Sequence, residues 1–149
     1  MSWIWIVLIS VAGAVVLIAV LRVVLRGLAR NRVADADELL AGERVVMREP
    51  SANLFGLQSQ GMGQVRGNGV LTLTETCLHF LMWLPKREVS IDLRTIRSIE
   101  TPKSFLGKSK FRPLLKVDFT DERGQQDAAA WLVADLEAWK DAVEERARL

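Results

Sequence analysis

Val70-Leu71-Thr72-Leu73-Thr74, then Glu75-Thr76, then Cys77-Leu78-His79-Phe80-Leu81-Met82-Trp83, is the stretch that decides the fold. Its apolar residues recur at every second position, the period of a half-buried strand, so Leu71 and Leu73 share one face and Leu78, Phe80 and Met82 another. Glu75-Thr76 is short enough to be a tight reversal, which makes the pair an antiparallel hairpin.

The same period continues downstream. Pro85-Lys86 turns the chain, and Glu88 to Leu93 sets Val89, Ile91 and Leu93 against Glu88, Ser90 and Asp92. Ile96 to Glu100 reads as a short strand, and Thr101 to Pro113 as a glycine- and lysine-bearing loop. Leu115, Val117 and Phe119 alternate with Lys116, Asp118 and Thr120, and Asp121-Glu122-Arg123-Gly124 closes a hairpin onto Asp127 to Leu132. Upstream, Glu43 to Glu49 reads as a first strand stopped by Pro50, and Ser51 to Asn68, with four glycines and no period, as a long loop. From Asp135 the period becomes helical. Leu136, Trp139 and Val143 fall on one side, Asp135 is placed to cap the start, and Arg146 and Arg148 lie near the end. The expected fold is therefore mainly β: seven antiparallel strands closed into a barrel or sandwich and capped by a C-terminal helix.

Seven strands followed by one helix, with Trp139 facing the barrel, resembles the pleckstrin-homology superfold. Three runs, Gly67 to Thr74, Leu78-His79-Phe80 and Val89 to Ile96, are similar to its GRAM-like and bacterial branch. The resemblance covers about residues 42–149 and implies a non-enzymatic module that binds phosphoinositides or proteins. Lipid-binding members of that superfold carry a basic motif across the first strand pair. Here the only basic residues between Met47 and Leu73 are Arg48 and Arg66, which argues against tight phosphoinositide binding at that place.

The N-terminus has another character. Trp3 to Leu21 holds twelve Ile, Leu or Val residues and no charge. A helix of that length covers roughly 30 Å, the thickness of a bilayer's hydrocarbon core. A signal peptide would want a basic start, a shorter apolar core and a small-residue cleavage site. The stretch reads as a transmembrane helix, with Trp3 and Trp5 at the outer interface. Arg22, Arg26, Arg30 and Arg32 follow it, and the positive-inside bias puts the N-terminus outside and the remainder in the cytoplasm, at the plasma membrane. The arginines are candidates for contact with lipid phosphates. The division expected is an anchor with a basic end over 1–28, a linker over 29–41 (a helical continuation or a polar tether), and the β domain over 42–149.

The chain carries a net charge of +2, but without those four arginines 16 basic residues face 18 acidic ones. That balance argues against nucleic acid as a partner. The single cysteine, Cys77, precludes an internal disulfide and a cysteine-based zinc site. Charge is uneven: Lys86 to Lys116 is +6 and Val117 to Leu149 is −5. Lys103, Lys108, Lys110 and Arg112 fall in one loop with Phe105 and Leu106, so a basic loop with an exposed apolar pair is a candidate contact for anionic headgroups. Asn53, Leu54, Phe55, Leu57 and Met62, in the first long loop, are candidates for binding a protein partner, the alternative being a cap folded over the barrel's open end.

Gly107-Lys108-Ser109 lacks the earlier glycine of a phosphate loop, because Pro102 stands there. His79 has no second histidine and no evident nucleophile, and the acids around the last hairpin read as solvated turn residues rather than a cation site. No enzyme, metal or cofactor is expected. The function expected is a membrane-anchored binding or scaffolding module in contact with a protein partner, anionic lipid or both. The alternative is an accessory subunit whose apolar helix packs with partners through Ser10, Ala12, Gly13 and Ala14.

Overall fold

The computed structural model describes residues 2–149, with Met1 and the side chains of Ser2, Leu28 and Ala29 outside the description. Helix α1 (Ser2–Leu39) runs without a break through the apolar segment, the arginines and the stretch expected as a linker. The linker is thus the helical continuation, not the tether. Nothing inside it stops a helix: Ala34 to Leu40 has neither Gly nor Pro, and Gly42 (φ 99°) ends the run after a last turn.

The strands of one sheet follow: β1 (Val45–Leu57), β2 (Gly67–Thr74), β3 (Cys77–Met82), β4 (Arg87–Asp92), β5 (Ile96–Glu100), then β8 (Leu115–Thr120) and β9 (Gln126–Leu132). They pair antiparallel in the order β4-β3-β2-β1-β9-β8-β5. The expected seven-stranded antiparallel sheet is present, and so is the closing helix, α2 (Leu136–Ala147). The hairpin that decided the fold has the register its alternation demands, Leu71 opposite Phe80 and Leu73 opposite Leu78.

Two expectations need correction. Pro50 does not stop β1. The pairing of β1 with β2 slips between Glu49 and Ala52, and Pro50 sits in that irregularity, where no ladder N–H is required of it. The strand then continues to Leu57 and changes partner, pairing Asn53 with Leu132 and Leu57 with Ala129 on β9. Ser51 to Leu57 is therefore strand, and the true loop is only residues 58–66. The second correction concerns residues 101–113, where a small hairpin forms from β6 (Ser104–Phe105) and β7 (Lys108–Ser109).

Because β1 serves both halves of the sheet, its bend lets the sheet curl around one core. Leu54, Leu71, Leu73, Phe80, Ile91 and Trp131 meet inside, with Phe80 and Trp131 at 6.1 Å between ring centroids. The two edge strands, β4 and β5, are joined by the 3-10 turn Leu93–Thr95. Helix α2 packs on that turn, β5 and β8, and drives Trp139 and Val143 into the core, both essentially without solvent exposure. Asp135 caps it as expected, accepting from the Ala138 N–H at 3.1 Å.

Two smaller apolar clusters lie on the outside of the sheet. Phe105 of β6 rests on Phe55, Ala128 and Ala130, where the small side chains of β9 let the hairpin approach. Val33 and Ala36 of α1 rest on Val70 and Leu81. Those positions look outward from β2 and β3, which explains why Val70 and Leu81 are apolar on a face that alternation alone assigns to water.

Candidate functional site

The last turns of α1 lie along the outer face of β2 and β3 in a definite direction. Arg32 reaches the Trp83 carbonyl at 3.5 Å and pairs with Asp35 at 2.7 Å. Ala36 sits on Val70 and Leu81, and Leu40, farther along, shares a small pocket with Thr72 and His79. Asp37 pairs with Arg48 of β1 at 2.7 Å, and Arg48 is in register with Thr72. Arg32 is thus a junction residue, with its side chain only 18% exposed, and is removed from the expected set of free lipid contacts. Arg22, Arg26 and Arg30 are exposed on the helix.

Loop 58–66 is tied at four points. Asp127, buried at the start of β9, accepts from the Ser59 N–H at 2.8 Å and the Ser59 hydroxyl at 2.6 Å. The Gln64 side chain accepts from the Leu57 N–H at 2.9 Å and donates to the carbonyls of Leu57 (2.5 Å) and Gly61 (2.6 Å). Arg87, at the start of β4, bonds Gln60 and Gln64. Lys108 donates to the carbonyls of Gln64 at 2.6 Å and Phe55 at 3.3 Å. Lys108 is therefore a structural clamp, not a free cation. Its neighbour Phe105 is buried and Leu106 half-buried, so the expected exposed apolar pair does not exist.

Of the residues proposed for a partner, Leu54, Phe55 and Leu57 are buried, the first and last in the main core and Phe55 under the β6–β7 hairpin. That corrects their surface role, and the reason is the continuation of β1 past Pro50. Only Met62, 69% exposed, points outward among them, and Asn53 is half-buried. Asn53 donates to the Asn68 side chain at 2.7 Å. A groove of about 240 Å³ brings Asn53 and Asn68 together with Glu49, Lys110 and Arg112, so one partner candidate and two lipid candidates converge. Lys103, Lys110 and Arg112 are exposed. Phe111, between the last two, is 93% exposed at φ 58°, a left-handed backbone uncommon for a bulky residue.

A second groove, about 340 Å³, lies on the β5–β8–β9 side among Arg97, Ser98, Asp118, Gln126 and Asp127. Beside it Lys116 lies between Glu100 (2.8 Å) and Asp118 (3.0 Å), and Ser98 donates to Asp118 at 3.1 Å. Partial burial pushes the Lys116 amine down, but the bonds to Glu100 and Asp118 outweigh it and hold its pKa above the ordinary value. Sequence alone did not find this groove, because it joins residues of three strands. At the sheet's other edge Asp92 is held below the usual carboxylate range, first by the Arg94 side chain and then by the Arg94 N–H.

Chemistry-bearing groups stand apart. His79 faces Glu43 at 3.8 Å, and Cys77 is a free thiol. Asp121 accepts from the N–H groups of Arg123 and Gln125, which makes it the organiser of the β8–β9 turn. Among the described residues no group of three His, Cys, Asp or Glu is arranged to hold a metal ion.

No family model matches the sequence, and no curated protein matches it either. Among solved structures, the chain is similar to the C-terminal domain of an unknown protein from Leishmania infantum, at a TM-score of 0.58 and 17% identity, over 80% of this chain and 98% of that one. Weaker similarities are to a chain of the 8S snRNP assembly intermediate (TM-score 0.49, 12% identity, 70% of this chain and 79% of that one) and to the structure of human RhoA with the DH/PH fragment of PDZRHOGEF (0.48, 16%, 73% and 30%). What the Leishmania domain establishes for this chain is a common fold.

Proposed function

We propose that this chain is a membrane-anchored, non-enzymatic binding module of the pleckstrin-homology type, with its GRAM-like variant as the finer assignment. The observation that carries the reading is the continuity of α1. One helix begins as a fully exposed apolar rod, long enough to cross a bilayer, and ends packed on the sheet. An apolar rod left in water is strongly disfavoured, and its packed end gives the barrel a fixed station relative to whatever covers the rod. The arginines after the apolar run support a cytoplasmic barrel. The grooves beside Lys110 and Lys116 offer polar, shallow surfaces suited to a protein or a headgroup rather than to enclosing a small substrate.

The test is in-membrane crosslinking of the intact chain, with residues 3–21 exchanged for an unrelated apolar helix in a parallel sample. Retention of the same crosslinked partners supports a module that works through its barrel. Loss of those partners transfers the role to the apolar helix, the accessory-subunit alternative.

A further inference from the structure

The exposed apolar side chains of the barrel are not spread evenly. Outside α1, the large apolar residues in water are Val45, Met62, Val65, Leu84, Phe111 and the terminal Leu149. Four of these, Met62, Val65, Leu84 and Phe111, are 67–93% exposed and belong to three segments that the hydrogen bonds join at one end of the barrel. Arg87 ties the β3–β4 turn, which carries Leu84, to loop 58–66, which carries Met62 and Val65. Lys110 and Arg112, either side of Phe111, share a groove with Asn68, whose carbonyl accepts from the Trp83 N–H at 2.9 Å. The opposite end shows charge instead, with Arg44 and Arg94 side chains 85% and 89% exposed.

Helix α1 leaves the barrel at the apolar end. Its path runs from Trp83 at Arg32, past Leu81 at Ala36, to the pocket that Leu40 shares with His79, so the chain before Arg32 runs out past the β3–β4 turn. If the hydrocarbon begins at Trp3, about 30 Å of helix ends it near Val23, and Arg32 then lies about 14 Å below that boundary. Roughly 5–7 Å of this is headgroup layer, which leaves about 7 Å to Trp83. Leu84 lies in the turn that directly follows Trp83, on the side where α1 leaves the barrel. The β3–β4 turn therefore faces the headgroups across a gap of that order.

We infer that this end of the barrel docks on the acidic inner surface of the bilayer that α1 crosses, inserting Met62, Val65, Leu84 and Phe111 at headgroup depth. Lys86, Lys103, Lys110 and Arg112, all exposed, flank the tips, and each cation near an anionic surface is favourable. Asp35, Glu38 and Glu88 share a groove with Lys86, and Glu49 lines the groove of Lys110 and Arg112, so the attraction falls chiefly to Lys103, Lys110 and Arg112 together with the exposed Arg22, Arg26 and Arg30 of α1. The docked barrel turns its Arg44 and Arg94 end and α2 toward the cytoplasm. This inference rests on the anchored reading proposed above and adds an orientation to it.

Depth-dependent quenching of the full chain in vesicles of phosphatidylcholine and phosphatidylglycerol (3:1) tests it. Single cysteines carrying an environment-sensitive dye are placed at Met62, Leu84, Phe111, Glu75, Asp141 and Val16, each in a Cys77→Ser background. Headgroup-level nitroxide lipid is expected to quench the dyes at 62, 84 and 111 at least twofold more than those at 75 and 141, and 0.5 M salt or neutral vesicles to reduce that quenching at least twofold at 111. A deep nitroxide is expected to quench the dye at 16. Equal quenching at 84 and 75, with 16 quenched, overturns the docking and leaves the anchor standing. An unquenched dye at 16 overturns both. Quenching at 111 that ignores lipid charge and salt overturns the electrostatic part. Met62→Ser, Leu84→Ser and Val65→Ser combined are expected to reduce quenching at 111 without altering circular dichroism; full retention at 111 contradicts joint insertion.

Discussion

At the residue scale, three expectations are sharp. Gly69 on β2 has no room for a side chain: a Cβ would stand 2.3 Å from the Leu81 carbonyl and 2.6 Å from the Phe80 ring. Gly69→Ala must push backbone away from backbone, and a loss of about 3 kcal/mol is expected in urea denaturation. Gly67 is more forgiving, because the atoms it would meet belong to the flexible Met82 side chain. Asp127→Ala removes the acceptor of two Ser59 bonds and one from the Ala128 N–H. That substitution is expected to cost about 1–3 kcal/mol, with hydrogen exchange accelerated in loop 58–66 before the rest of the barrel. The third expectation concerns pH. The raised pKa of Lys116 means its contribution is present below its ordinary value of 10.5 and is lost as pH rises through the folded value. The lowered pKa of Asp92 means the reverse: its contribution holds above the ordinary 3.8 and is lost as pH falls through the folded value. Thermal melts of Lys116→Met should therefore lack the alkaline decline, and those of Asp92→Asn part of the acid decline. Each effect is small, since Asp92 lies at the surface and Lys116 is only partly buried.

At the scale of elements, the helix–barrel junction and the closing helix can be loosened separately. Ala36→Asp puts a charge against Val70 and Leu81, and Arg48→Ala removes the partner of Asp37. Proteolysis between residues 28 and 42 is expected to speed up at least severalfold in the double variant, while the barrel's own melting moves little. Trp139→Ala acts on the barrel itself, leaving a void where α2 enters the core, and should cost about 3–5 kcal/mol. The elements also explain what could be foreseen. β4, β8 and α2 are legible because one face of each is buried, which stamps a period on the residues, and β2 and β3 because their core faces keep that period although α1 covers part of the other side. β1 was half hidden, since Pro50 and Gly56 break the local pattern while pairing with β9, distant in sequence, holds the strand together. The β6–β7 hairpin was hidden for a similar reason. Its signal is not alternation but the outward pair Ala128 and Ala130, small enough to accept Phe105 from outside. The same break in pattern gives Leu54, Phe55 and Leu57 the look of loop residues free for a partner, whereas β1 carries them into the core and under the β6–β7 hairpin. Leu84 and Phe111 went unnoticed because a lone apolar residue beside a proline or between two cations carries no periodic mark.

For the whole molecule, the decisive feature is that the proposed anchor and the segment packed on the barrel are one helix. On the proposed reading, the apolar length of α1 and its packed C-terminal turns set both where the barrel stands and which end faces the bilayer. The direct measurement is protease protection of the full chain in intact cells, compared with inverted membrane vesicles, followed with an antibody to the barrel. The account predicts a barrel protected in intact cells and digested in inverted vesicles, with a fragment beginning at the N-terminus retained in the membrane. Digestion of the barrel from outside intact cells, or release of the chain into the soluble fraction by alkaline carbonate, would contradict it.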